Sequence, residues 1–149
     1  MRLVLFEPDI PQNCGSLLRL GACLGVPVEI VEPCGFVFGE AQMRRAGMDY
    51  LAQADFTRHA SWRAFLAQHA GGRLVLLTSK GAQPYTDFAF APDDCIVLGR
   101  ESAGVPQAVH ARAEARLLIP MTSGLRSINV AQAGAMVLGE ALRQTGMFP

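Results

Sequence analysis

Five short runs of this chain are apolar through most of their length: Leu3 to Phe6, Val26 to Val31, Leu74 to Thr78, Cys95 to Leu98 and Leu117 to Ile119. Runs this short, each stopped by proline, glycine or a polar loop, suit buried strands better than helices. Ala54 to Arg58 is a candidate for a further short strand. Segments of helical character separate them. Leu17, Leu18, Leu20, Ala22 and Leu24 mark the packed face of a helix from Ser16 to about Leu24, which Gly25 closes as a C′ residue. Short helices are expected around Glu40–Ala46 and Pro106–Ala111, and another follows Ser61 as its cap. A long helix of small residues follows Ser127, a second plausible N-cap. Strands alternating with helices predict an α/β fold, a parallel sheet with helices on both faces.

At 149 residues, 50% hydrophobic and 17% charged, the chain suits one globular domain over residues 1–149, with no repeat, linker or low-complexity segment. Thirteen basic residues balance thirteen acidic ones. A nucleic-acid binder usually carries a basic excess, so such a role must rest on local patches or on dimerisation. Cys14, Cys23, Cys34 and Cys95 are scattered, with neither a C-x-x-C pair nor a histidine spacing that suits zinc. They suit the reduced thiols of a cytosolic protein, and no metal is expected. No run approaches a membrane span, and Met1-Arg-Leu-Val-Leu-Phe6 leads at once into charged, proline-rich sequence. The expectation is a soluble, cytoplasmic protein that does not engage a membrane.

Three polar, glycine-bearing loops each follow a strand. Glu7-Pro-Asp-Ile-Pro-Gln-Asn-Cys-Gly15 enters the first helix, where Gln12, Asn13 and Ser16 can serve as caps. Arg19 lies within what this reading makes the first helical turns, where the helix dipole disfavours a cation. Gly99-Arg-Glu-Ser-Ala-Gly104 has the spacing of a phosphate loop, but Val105-Pro106 replaces the lysine and hydroxyl residue that hold phosphate and magnesium. Neither a G-x-G-x-x-G fingerprint, a G-x-S-x-G elbow nor an H-E-x-x-H pair is present. The third loop follows Pro120, ends at Ser127 and offers backbone donors and a positive helix end beside Arg126, Ser127 and Asn129. Such loops line the crevice where open α/β sheets bind ligands.

Taken together, Glu7-Pro-Asp-Ile-Pro-Gln-Asn-Cys-Gly-Ser-Leu-Leu-Arg19, Arg44-Arg-Ala-Gly-Met-Asp-Tyr50, Leu98-Gly-Arg-Glu-Ser-Ala-Gly104 and Leu125-Arg-Ser-Ile-Asn-Val130 resemble the motifs of the SPOUT class of RNA methyltransferases, and most of all its TrmL (YibK-type) tRNA 2′-O-methyltransferases. The resemblance covers almost the whole chain. It implies a SPOUT-type parallel sheet flanked by helices, with a C-terminal deep trefoil knot, acting as a homodimer. The cofactor implied is S-adenosyl-L-methionine, held at Leu77, Gly99, Ile119 and Ser127. Catalytic positions carried over are Arg19, Glu101, Arg126 and Asn129, partly from a second subunit. Arginine is effectively always protonated, so Arg19 would orient a phosphate or lower the hydroxyl pKa rather than act as a base. The substrate implied is the wobble nucleotide, cytidine or uridine 34, of leucine tRNAs, with the anticodon stem-loop bound on the dimer surface. Arg44 and Arg45 are the leading RNA-binding candidates, followed by Arg58, Lys80, Arg100 and Arg126.

Departures from the family pattern fall at Ser16, often asparagine, at Ala103, usually arginine, and at Gly139, commonly tyrosine. Gly134 and Gly139 would allow close helix approach, either between subunits or inside one chain. Another RNA 2′-O-methyltransferase, or an RNA-binding protein of the same fold without catalysis, is the alternative.

Overall fold

The computed structural model describes residues 1–39, 53–81 and 83–149. Within them seven strands form one parallel sheet. These are β1 (Arg2–Phe6), β2 (Val28–Val31), β3 (Phe56–His59), β4 (Leu74–Leu77), β5 (Gln83–Pro84), β6 (Cys95–Leu98) and β7 (Ala115–Leu118), in the order β3-β2-β1-β6-β4-β7-β5. The described helices are α1 (Pro11–Leu24), α2 (Trp62–Gln68), α3 (Gln107–Arg112) and α4 (Val130–Thr145), with a 3-10 turn at Tyr85–Asp87.

Side chains alternate across the sheet with the strand period of two. Leu3, Leu5, Ile30, Val75, Ile96 and Leu98 point to one face, where Leu17 and Leu18 of α1 and Val137 and Leu138 of α4 cover them. Val4, Phe6, Leu74, Leu76 and Val97 point to the other, against Phe65 of α2 and Val109 of α3. Covered on both sides, β1, β4 and β6 tolerate no polar face, which is why their sequences are apolar throughout apart from Arg2 at the exposed start of β1.

Expectation and structure differ in the strands away from the centre of the sheet. β7 begins two residues earlier than expected because Arg116 points outward and breaks the apolar run; its guanidinium donates to the His110 carbonyl at 3.2 Å. β3 is shifted to Phe56–His59 and is half exposed, and β2 starts after Pro27. The two-residue β5 carries no sequence pattern to read.

The helix starts also differ. α1 begins at Pro11, not Ser16. Proline suits the first helical position because the N–H it lacks would be unpaired there. Ile10 caps it without a side-chain bond, so Gln12, Asn13 and Ser16 are not caps; the Ser16 hydroxyl donates instead to the Gln12 carbonyl at 2.9 Å. Arg19 therefore sits in the third turn, and the dipole argument about it lapses. The other end is as expected: Gly25, at φ 64°, donates to Gly21. Ser61 caps α2, accepting from the Ala64 amide at 3.1 Å. α4 is capped by Asn129 rather than Ser127, its Oδ1 accepting from Ala131 at 2.9 Å and Gln132 at 3.3 Å.

The two glycines of α4 separate. A Cβ on Gly134 would lie 2.8 Å from both Leu17 Cδ2 and Leu98 Cδ1, so this glycine serves packing inside the chain. A Cβ on Gly139 would meet nothing within 4 Å. The expected helix at Glu40–Ala46, with Arg44 and Arg45, lies outside the described residues. All four cysteines are free thiols; burial pushes Cys95 up to about 11 and Cys14 higher still. Among the described residues no group of three metal-binding side chains gathers, and no helix is long and apolar enough to cross a membrane.

Candidate active site

The parallel register pairs Leu77 with both Leu98 and Leu117, so β4, β6 and β7 end level. The Thr78 amide donates to the Leu117 carbonyl at 2.9 Å just beyond. From this common edge the chain leaves in three loops, which enclose a cavity of about 350 Å³. That is within the size range of small-molecule sites. Leu77, Gly99, Ile119 and Ser127, the four expected cofactor residues, all line it, and so do Glu101 and Asn129. Arg19 and Arg126 do not. Arg19 is on the exposed side of α1, and Arg126 is exposed in the loop before α4. Arg44 and Arg45 lie outside the described residues.

Side-chain hydrogen bonds tie together the loops that follow β1, β6 and β7. Glu101 Oε2 accepts from the Asp9 backbone amide at 2.8 Å, and Oε1 accepts from Asn13 Nδ2 at 2.9 Å. Asn13 Oδ1 in turn accepts from Asn129 Nδ2 at 2.9 Å. Each amide orientation follows from its neighbours: an ionised carboxylate only accepts, and the Asn129 oxygen is already committed to the start of α4. The bonded row thus runs from the loop after β6, through α1, to the N-terminus of α4.

The loop after β6 folds back on itself. Arg100 N donates to Gly104 O at 3.1 Å and Gly104 N donates to Arg100 O at 2.8 Å. A Cβ on Gly99 would lie 2.9 Å from the Gly104 carbonyl carbon. Glycine at 99 is therefore required by the loop's own fold as well as leaving the cavity wall bare. Asp9 holds the loop from outside, accepting from Arg100 Nη2 at 2.9 Å, from the Ser102 amide at 3.1 Å and from the Ser102 hydroxyl. The Ser102 hydroxyl first, and then the Arg100 guanidinium, hold the Asp9 carboxyl below the usual range. Arg100 also pairs with Glu7 at 3.1 Å. Arg58 pairs with Glu32 and lies over the Phe38 ring. Two of the basic residues considered for RNA from sequence are thus engaged by carboxylates.

Asp9 and Asn13 are the residues that sequence reasoning did not single out as functional. Asn13 read as a helix cap, and Asp9 as part of a proline-rich turn. The one available signal was the bracketing of Asp9-Ile10 by Pro8 and Pro11, which stiffens a loop whose partners lie far along the chain.

An α/β domain that offers a ligand-sized crevice outside the carboxyl ends of parallel strands is the class defined by this fold and site. Residues 1–139 match the SpoU rRNA methylase family, and the chain belongs to it. It is 61% identical over 146 residues to a Beijerinckia indica protein named tRNA (cytidine(34)-2′-O)-methyltransferase, covering 97% of this chain and 91% of that one. A solved structure concerned with 2′-OH methylation of C or U at position 34 of tRNA superposes with a TM-score of 0.89 at 38% identity, covering 96% of this chain and 94% of that one. The SpoU methyltransferase AviRb from Streptomyces viridochromogenes, in complex with AdoMet, superposes with a TM-score of 0.82 at 25% identity, covering 97% of this chain and 60% of that one.

Proposed function

We propose that this protein transfers a methyl group from S-adenosylmethionine to the ribose 2′-hydroxyl of nucleotide 34, cytidine or uridine, in leucine tRNAs, as a cytoplasmic homodimer. The observation that carries this reading is the convergence of Leu77, Gly99, Ile119 and Ser127 on one cavity whose wall includes Glu101. The cavity fits the cofactor in size and chemistry: apolar side chains at Leu77, Leu98 and Ile119, strand-end backbone, and a carboxylate that suits a cationic ligand. When bound, S-adenosylmethionine supplies a methyl group already activated on a positively charged sulfur.

What remains for the protein is positioning and proton removal. Asn13 and the Asp9 amide keep Glu101 in one orientation as an acceptor. Arg19 and Arg126 do not line the cavity of their own chain, which supports their delivery to it by a second copy. There Arg19 would orient a phosphate or stabilise the developing alkoxide, since a guanidinium does not act as a base. Dimerisation is supported by α4, where Gln132, Met136, Gly139 and Arg143 recur at helical spacing; Met136 is 42% exposed and Gly139 is open. The anticodon stem-loop would lie across the dimer surface, with Arg44 and Arg45 as phosphate contacts.

A deep trefoil knot belongs to the same reading. It is supported by the strand order β6-β4-β7-β5 and by Gly81, where a Cβ would lie 2.5 Å from the Leu117 carbonyl carbon. The loop after β4 is thus pressed against the backbone at the end of β7.

The test is incubation of the protein with tRNA and methyl-labelled S-adenosylmethionine. Label should enter tRNA, and Arg19→Ala should lose ~100-fold or more in turnover while cofactor binding by calorimetry persists. Absence of incorporation into any RNA would overturn the reading.

A further inference from the structure

We infer that Asp9 is a positioning residue for the reaction, one that pins residues 100–102 and so fixes Glu101 at the wall of the cavity. The inference rests on the methyltransferase reading above and adds a residue to it. Three consecutive residues of the loop after β6 are held by this single residue of the loop after β1. The Asp9 carboxylate takes Arg100 at 2.9 and 3.3 Å, through Nη2 and Nε, and takes Ser102 through its amide at 3.1 Å and its hydroxyl. Between them, the Asp9 backbone amide donates to Glu101 Oε2 at 2.8 Å. Among the described residues, the loop's own backbone pairing is the Arg100–Gly104 couple. Glu101 and Ser102 therefore take their placement from outside the loop.

Asp9 is itself fixed from behind. The Gly35 amide donates to the Pro8 carbonyl at 2.9 Å. A Cβ on Gly35 would stand 2.8 Å from Asp9 Oδ1 and 2.9 Å from Asp9 Cα. Loops from β1, β2 and β6 thus meet at one carboxylate. A lone exposed ion pair places nothing well, because two long side chains share many geometries. Here the acceptor is a short side chain on a proline-bracketed loop, and two of its donors belong to one serine. That geometry is specific enough to set the direction of the neighbouring Glu101 side chain.

The test compares wild type, Asp9→Ala, Asp9→Asn, Glu101→Gln and the double variant Asp9→Ala/Glu101→Gln, in methyl transfer to tRNA and in amide hydrogen exchange. Asp9→Ala should lower kcat ~10-fold or more while cofactor affinity is retained, as expected when a transition-state contact is misplaced. Asp9→Asn, which keeps an oxygen for the Ser102 amide, should fall between the two. In the double variant the losses should not add, because Asp9 acts through Glu101. Exchange at Ser102 should accelerate in Asp9→Ala while the amides of β6 stay protected, which separates loop release from unfolding. Wild-type kcat in Asp9→Ala, additive losses, or unchanged exchange at Ser102 would each overturn the inference. If wild type transfers no methyl group, the methyltransferase reading fails and the exchange result alone decides whether Asp9 holds the loop.

Discussion

At Asn129 one side chain serves two structures. Its oxygen caps α4 and its nitrogen reaches Asn13, which holds Glu101. The two roles separate by substitution. Asn129→Asp keeps an acceptor for the cap but loses the donor to Asn13, so it should retain stability and lose activity. Asn129→Ala should lose activity and also about 1 kcal/mol of stability in urea denaturation. Ser127→Ala, which removes a hydroxyl that caps nothing, should leave the denaturation midpoint in place. Asp9 supplies a pH prediction at the same scale. Its carboxyl is held below the ordinary value of 3.8 by Ser102 and Arg100. A depressed folded pKa contributes stability that is present above the unfolded value and is lost as pH falls through the folded one. Carboxyl NMR should therefore show Asp9 titrating below 3.8, and in Ser102→Ala its midpoint should rise towards that value.

Among the elements, the central strands were the most legible, because a strand covered by helices on both faces must be apolar throughout, as at Leu74–Leu77 and Cys95–Leu98. The outer strands lose that constraint: β5 pairs only with Leu117 and Leu118, so Arg116 at the start of β7 has a strand on one side alone and breaks the apolar run. Helix starts are less legible for another reason: Ser16 and Ser127 are capping residues by type, whereas α1 opens on a proline and α4 is capped two residues beyond Ser127. Glycine alone could not say which side of α4 is packed. The structure distinguishes the two positions, and stability should follow. Gly134→Ala forces a methyl group against Leu17 and Leu98 and should cost about 1–3 kcal/mol. Gly139→Ala adds a better helix former at a position open within the chain, and in the monomeric Met136→Asp background should gain up to ~1 kcal/mol. The loop after β6 gives a further contrast. Arg100 is engaged by Glu7 and Asp9, so Arg100→Gln should leave the salt dependence of tRNA binding unchanged, whereas losing a true phosphate contact would lower its slope by about one.

Across the whole molecule, the site is assembled from residues remote in sequence. Asp9 and Glu101 are separated by 92 positions, and Asn13 and Asn129 by 116. No local pattern announces such pairings, and each loop taken singly shows only part of a glycine-lined crevice. Leu77, Gly99, Ile119 and Ser127 came from resemblance, and Leu77 in particular has no chemistry to mark it; the level ends of β4, β6 and β7 are what bring these residues to one cavity. Assembly enters at this scale too. If α4 carries the dimer contact, Met136→Asp should shift sedimentation to the monomer and abolish methyl transfer, while cofactor binding weakens less. A variant that remains dimeric would remove α4 from the interface.

The central claim is that the crevice directs a methyl group to one ribose of tRNA. Alkaline hydrolysis of leucine tRNA after reaction with the protein and S-adenosylmethionine tests it, because a 2′-O-methyl group blocks cleavage of the adjoining phosphodiester. The expected result is one new resistant linkage, immediately after nucleotide 34, absent when Glu101 is replaced by glutamine. A ladder with no new resistant linkage, or with resistance only at other nucleotides, would contradict the account.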